Sequence, residues 1–438
     1  MFSTIRNAWR IPDLRKKLLF TLLVIVIFRL GSVIPVPFLD AVKLNALMAS
    51  VDASGSALSY INMLTGGAFS YATIFAMGIT PYINSSIIMQ LLSIAIPALE
   101  RLSKNGEEGR KKIASITRIV TVGLGLAQGT AFFFYLHNSG ITVYPTGAAA
   151  VFAAIVIILC FTAGTAVVMW LGEQINEKGI GNGISIILFA GIVARLPVTV
   201  GQLWGFFTYA LAYPAEQWPY FIFVPLFVVL FLIVIWVIVF MQDAERRIPV
   251  QYAKRVVGRR MYGGQSTHIP VKVAMSGVMP VIFASAILSI PSTIQLFTGT
   301  PTEGFWAGFF NAFAPNGWLY MVLYFLLILA FAYFYMTIQY NPMEMANNIR
   351  SQSGAIPGIR PGKPTSDFIM KILSKLTLIG AFFLAFVAII PLIYGALTGM
   401  SALSMGGTSL IIMVGVALET VKQMEAQMMM RHYKGFLD

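Results

Sequence analysis

Residues 78–88 read GITPYINSSII, and residues 277–287 read GVMPVIFASAI. Laid over each other at an offset of 199, they agree at five of eleven positions: Gly78 with Gly277, Pro81 with Pro280, Ile83 with Ile282, Ser86 with Ser285 and Ile88 with Ile287. The same proline-bearing apolar segment therefore stands twice in one chain of 438 residues, nearly half its length apart. Its meaning depends on the solvent in which the chain folds.

Hydrophobic residues make up 58% of the chain and charged residues only 11%, with a mean hydropathy of +0.79. Soluble globular proteins carry about 25% charged residues. Too little polar surface is left to cover a water-soluble particle of this size, so the bilayer is the expected solvent. A helix needs roughly 20 mostly apolar residues to cross about 30 Å of hydrocarbon. Ten stretches qualify: 18–37, 72–97, 119–137, 148–171, 183–203, 219–241, 273–297, 318–338, 376–394 and 403–421. Runs such as FIFVPLFVVLFLIVIWVIVF are continuously apolar, unlike the alternating strands of a membrane β-barrel. The expected fold class is an all-α membrane protein with ten transmembrane helices.

The leader MFSTIRNAWRIPDLRKK is basic and precedes a full-length apolar span with no A-x-A-like cleavage site, so residues 1–17 read as a cytoplasmic amphipathic lead to an uncleaved first helix. The single cysteine, Cys160, lies inside the fourth span, where core packing is its expected role. Basic residues mark the cytoplasmic side of a membrane. Of the 30 Lys and Arg, 27 fall in residues 1–17, 98–118, 172–182, 242–272, 339–375 and the tail from Lys422. The opposite loops hold only Lys43, and Arg29 and Arg195 lie in spans, near their outer ends, where snorkelling is expected. Both termini are thus expected in the cytoplasm, as an even number of spans requires. The net charge of +13 is a topological signal first, because the basic residues are spread over six segments without a nucleic-acid-binding motif.

The repeated segments fall in the second and seventh spans, and five spans precede the sixth. They therefore occupy equivalent places in two halves of opposite orientation, 18–210 and 211–421, followed by a tail, 422–438. Inverted halves place a functional site between them. A proline inside a span frees backbone groups that protein or water must satisfy, so Pro81 and Pro280 point to an interior cavity. The polar run Thr80, Asn84, Ser85, Ser86 and Gln90 agrees with this, although packing of small polar residues between helices is the plain alternative. Upstream, LSYINMLTGGAFSY (58–71) is too short to cross and is broken by Gly66-Gly67. It reads as a re-entrant or plugging segment, or else as a surface-lying amphipathic piece.

Coupled transporters carry ionisable groups at membrane depth. Here no Asp or Glu lies within the ten spans apart from Glu419 at the end of the last. PGKPT lacks the spacing of a phosphate-binding GxxxxGK[ST] loop. GIGNGIS (179–185) precedes a span rather than completing a βαβ unit, so tight packing or a bent entry to span five is expected of it. His137, His268 and His432 are far apart in sequence, and no catalytic constellation, metal site or cofactor site emerges. What remains is a passive two-halved passage driven from elsewhere.

INMLTGGAFSYATIFAMGITPYINSSIIMQLL, GIGNGISII, RRIPVQYAKR, GVMPVIFAS, NPMEMANNI, PGIRPGKPT and GGTSL follow one another from residue 61 to 410. Together they resemble the SecY family, the channel subunits of the Sec protein translocon, over essentially the whole chain. The resemblance implies an hourglass pore between two inverted five-helix halves. By it, the pore ring would be Ile79, Ile83, Leu188, Ile282 and Ile412, with Leu188 standing where the family most often has isoleucine. A plug at about 60–71 would include Asn62, Leu64, Gly66 and Gly67. A lateral gate between spans two and seven would carry Asn84, Gln128 and Ile290. The loops 242–272 and 339–375 would dock the ribosome and the SecA motor ATPase through Arg246, Arg247, Arg255, Arg259, Arg260 and Arg360. It further implies SecE and a SecG-like protein as small membrane partners, signal peptides and nascent polypeptides as cargo, and residence in the bacterial inner membrane. The function expected is a protein-conducting channel, not an enzyme, that also releases apolar segments into the lipid bilayer. The alternative is a small-solute or lipid transporter with inverted repeats, which would need a mid-membrane substrate site and coupling residues.

Overall fold

The computed structural model describes residues 2–53, 62, 65–213, 219–252, 255–257, 260–262, 266–275, 277–291, 294, 304–313, 317–398 and 406–434. In the first half the helices are α1 (Phe2–Arg10), α2 (Pro12–Gly31), α3 (Ala41–Ala53), α4 (Thr80–Ala95), α5 (Pro97–Lys104), α6 (Gly106–Asn138), α7 (Ala148–Lys178) and α8 (Gly183–Ala212). The second half holds α9 (Tyr220–Asp243), α10 (Met279–Leu288), α11 (Phe305–Ala312), α12 (Trp318–Gln339), α13 (Pro342–Ser351), α14 (Lys363–Thr398) and α15 (Gly406–Lys434).

Among the described residues, six helices are long and apolar enough to cross a membrane, and the pair α4–α5, bent by 106°, allows a seventh crossing. The other three expected spans map to α2, α10 and α15. α2 carries Arg15, Lys16 and Lys17 in its first turns, so its apolar part is short, and the expected span 18–37 ends as helix at Gly31. α10 has ten residues, and the expected span 273–297 runs on beyond the described ones. α15 becomes polar after Leu418. The fold class is that of a helical membrane protein, while length and apolarity alone do not deliver the count of ten.

Local chemistry fixes several boundaries. Pro12 opens α2, where a missing N–H costs nothing, and Asp13 sits favourably near the positive helix end. The Asn182 side chain accepts from Ile184 N and Ser185 N to cap α8, and Asn341 caps α13 through Met343 N and Glu344 N. In GIGNGIS the demand is close approach: a Cβ on Gly183 would lie 1.9 Å from the Gly172 carbonyl oxygen, so α7 and α8 meet backbone to backbone. Within a bilayer such proximity, rather than expulsion of water, holds helices together.

One departure from the all-helical expectation lies outside the spans. β1 (Glu245–Tyr252) pairs antiparallel with β4 (Ser266–Lys272), in register Ile248↔Ile269 and Val250↔Thr267, and also with the short β5 (Gly354–Ala355). β2 (Arg255–Val257) and β3 (Arg260–Tyr262) pair antiparallel in a separate two-stranded sheet. Alternation along ERRIPVQY buries Ile248 and Val250 and leaves the intervening residues outward.

Three of the apolar clusters among the described residues bear on the site. The largest draws buried side chains from α2, α4, α7 and α8 of the first half and from α9, α10, α12, α14 and α15 of the second. Another, around Phe69, Phe132 and Phe161, belongs to the first half and takes in Cys160 at its edge. The last ties the sheet to α13 and α14 through Ile248, Val250, Ile349, Ile356 and Leu373.

Candidate functional site

The repeated segment is a repeated piece of backbone. Gly78 (φ +54°) and Gly277 (φ +58°) both adopt the left-handed conformation that glycine tolerates at no steric cost. The residues that follow, Ile79 and Val278, are the N-caps of α4 and α10, with φ/ψ of −95°/−1° and −88°/−14°. Pro81 and Pro280 then fall in the first helical turn of each. This corrects the expectation that the prolines interrupt spans. They start helices, where no backbone acceptor is orphaned. The sharp break in the second span comes later, where Pro97 follows the extended Ile96.

The two helices begin alike and pack against each other. Ile79, Ile83, Leu188 and Ile412 are buried members of the largest cluster, and Ile282 packs against it half-buried. These five side chains come from α4, α8, α10, α15 and the turn before α4. Ile83 is thus buried in the cluster, and Ile282 is half-buried against it.

Beside this cluster the chain before α4 forms a run of turns from Thr65 to Ile79, where the expected span from 72 had placed helix. Positive φ at Gly66 (+68°), Gly67 (+92°), Ala72 (+40°) and Gly78 excludes a continuous helix there. Asn62, buried, organises the start. Its backbone carbonyl accepts from Gly67 N (2.9 Å) and Thr65 Oγ1 (3.1 Å), and its Oδ1 accepts from Ser70 N (3.0 Å). Leu64 lies outside the described residues. Arg29, from the last turn of α2, donates through Nη1 to the Gly66 carbonyl at 3.4 Å. A Cβ on Gly66 would lie 2.9 Å from the Gly191 oxygen of α8, and the Arg195 side chain flanks Gly67. Both in-span arginines, expected to snorkel, are therefore applied to the glycine turn. Sequence spacing gave no sign of it, since 37 residues separate Arg29 from Gly66.

The residues assigned to a gate stand on neighbouring elements. Asn84 on α4 and Gln128 on α6 are half-buried, and α4 packs against both α6 and α10. Ile290, just past α10, is 51% exposed.

The two basic loops, separate in sequence, are one platform. Gln251↔Ala355 and Tyr252↔Gly354 join them through the sheet. Arg246, Arg247 and Arg360 are exposed on it, with Arg247 Nε donating to Glu245 Oε1 at 3.0 Å. Gly358 (φ +79°) and Gly362 (φ +107°) bracket Arg360, whose carbonyl accepts from Thr365 Oγ1 at 2.9 Å, so the arginine sits on a fixed loop. Arg255 and Arg260 occupy β2 and β3, and Arg259 falls outside the described residues.

The SecY family model matches residues 73–421. The chain is 43% identical over 448 residues to the protein translocase subunit SecY of Streptomyces coelicolor, with all of both chains covered. Its fold is similar to a solved structure described as a protein conducting channel (TM-score 0.65, 21% identity, 94% of this chain and 92% of that one). It is also similar to Sec61 in the canine ribosome-channel complex from the endoplasmic reticulum (TM-score 0.61, 18% identity, the same coverage). The chain belongs to the SecY family. It is a multi-pass membrane protein, and a small-solute or lipid transporter is not favoured.

Proposed function

We propose that this SecY-family chain forms a protein-conducting channel, through which unfolded secretory polypeptides cross a membrane and from which apolar segments pass sideways into lipid. One observation carries the proposal: isoleucines at equivalent places in the two repeats, 83 and 282, share one interior apolar cluster with Ile79, Leu188 and Ile412.

The mechanism follows from the side chains. A narrow ring without polar groups resists wetting and so blocks ions, while branched aliphatic side chains deform around a passing peptide. The turn at 65–71 serves as a plug held against the first half by Arg29 and by its close approach to Gly191. Separation of α4 from α10 opens a side door. A segment between them partitions by its own composition: a leucine-like residue gains about 0.3–0.6 kcal/mol in hydrocarbon, and a charge loses about 2.5–3.5 kcal/mol. Asn84 and Gln128 keep that seam polar and easily parted.

The platform of β1, β4, β5 and α13 supports the docking of a ribosome and of the SecA motor. Arg246, Arg247 and Arg360 offer planar forks that suit phosphate and carboxylate alike. SecE and a SecG-like subunit complete the assembly. The concentration of 27 of 30 basic residues on one side supports cytoplasmic termini in the bacterial inner membrane.

The test is reconstitution in vesicles with the small subunits and the motor. Protease protection of a labelled preprotein, without uptake of a panel of small solutes, is the expected result. Saturable uptake of a solute without protection of the preprotein would overturn the proposal.

A further inference from the structure

The run of turns before α4 is held in two different ways along its length. Its later part is pinned from several sides. Val36 N donates to the Ala72 carbonyl (3.1 Å) and Ile74 N to the Ile34 carbonyl (3.0 Å), so Pro35 and Thr73 face each other across an antiparallel bridge. The strap 34–39 is itself tied at its far end to the turn between α6 and α7, since Val143 N donates to the Phe38 carbonyl at 3.1 Å. The Phe75 ring stacks on Phe28 of α2, with centroids 5.9 Å apart, and fills the space a Cβ on Gly31 would need. The Ile74 carbonyl fills the notch left by Gly164 of α7 in the same way. Thr73 N and Ala72 N donate back to the Ala68 and Phe69 carbonyls, closing a helix-end turn around the left-handed Ala72, and the buried Phe69 ring stacks on Phe132 of α6 at 4.3 Å. The ties across the glycine pair are of another kind. They are hydrogen bonds, from Ser70 N to Asn62 Oδ1 (3.0 Å) and from Phe69 N to Thr65 Oγ1 (3.3 Å).

We propose that residues 68–78 are a fixed root clasped by the strap 34–39, and that the plug leaves its seat by rotation at Gly66–Gly67 while the root stays. The inference rests on the plug reading of the glycine turn. Interlocked rings and filled notches do not deform gradually, so moving the root would unstack two aromatic pairs and orphan the backbone groups that face the strap. Rotation at two glycines has a wide choice of φ and breaks only hydrogen bonds that water can replace as the pore opens. The root also runs straight into Ile79. Holding it still keeps the ring in register while the plug is away and returns the plug to the same seat.

The experiment uses vesicles holding the channel with its small subunits and motor, in a C160A background so that one thiol pair alone can oxidise. P35C/T73C puts that pair on directly opposed residues of an antiparallel bridge, whose Cα atoms stand about 4.5 Å apart, within disulfide reach. Oxidation pins the root to the strap, and protease protection of a labelled preprotein is expected to match that of the reduced channel. With G66A added, ion leak rises, and oxidation is expected to leave that rise intact. Protection lost on oxidation and restored by reductant, or a G66A leak that oxidation abolishes, would overturn the root and leave the plug standing. A pair that does not oxidise would overturn the bridge and the root built on it. A reduced G66A channel as tight as the unaltered one would overturn the plug itself, and the root with it.

Discussion

Gly66→Ala tests the plug most sharply. Gly66 sits at φ +68°, where an L-residue costs roughly 1–2 kcal/mol. The new Cβ would lie 2.5 Å from Arg29 Nη1 and 2.9 Å from the Gly191 carbonyl oxygen. The guanidinium moves aside, giving up its hydrogen bond to the Gly66 carbonyl at about 1 kcal/mol, but the α8 backbone does not. Together these disfavour the seated plug by about 2–3 kcal/mol, which lowers the seated-to-unseated ratio roughly 30- to 150-fold. Gly67→Ala supplies the internal comparison. Its φ of +92° carries the same kind of backbone penalty, but the nearest atom to its Cβ, Arg195 Nη1, is 3.7 Å away. Arg29→Met isolates the hydrogen bond and should shift the ratio about fivefold. The assay is ionic conductance across planar bilayers holding the purified channel without motor or preprotein. Leak should rise in the order unaltered, R29M, G67A, G66A. A G66A channel as tight as the unaltered one, or tighter than G67A, would refute the packing argument and the plug assignment together.

Replacing Ile83 and Ile282 together by glycine opens the apolar constriction, so resting vesicles should become leaky to ions; dye-release measurements that match the unaltered channel would remove these residues from the seal. Arg360→Glu reverses the charge held between Gly358 and Gly362, and motor-driven preprotein protection should fall about tenfold or more while the channel accumulates normally in membranes. Gly164→Val places a Cβ 1.9 Å from the Ile74 carbonyl oxygen, so the α7 contact should be lost at ~3 kcal/mol, seen as poor accumulation and early heat aggregation in detergent.

How far the sequence could be read differs from feature to feature. Membrane residence followed from composition, because 11% charge cannot hydrate a surface of this size. The clustering of basic residues in alternate loops followed from arithmetic along the chain. The repeat was legible because Gly78 and Gly277 need the same backbone angles, a requirement stated within a few residues. Even there, local reasoning misplaced the prolines: a proline at the first turn and one in mid-helix look alike until the helix start is known.

The sheet was missed for a related reason. Its buried alternation in ERRIPVQY is short, and of its partner strands one lies further along the same loop and the other about a hundred residues on. The role of Arg29 was missed because snorkelling is a rule about depth, whereas Arg29 meets Gly66 through an acceptor that only the folded turn presents.

By itself, then, the sequence determined the solvent and the twofold plan, since each is a sum over composition or a demand made by neighbouring residues. Tertiary structure alone decided that Ile83 and Ile282 share one cluster, that Arg29 reaches the glycine turn, and that Tyr335 reaches Gln90. Those contacts join residues from 37 to 245 positions apart, and only the packing of whole helices sets distances of that kind.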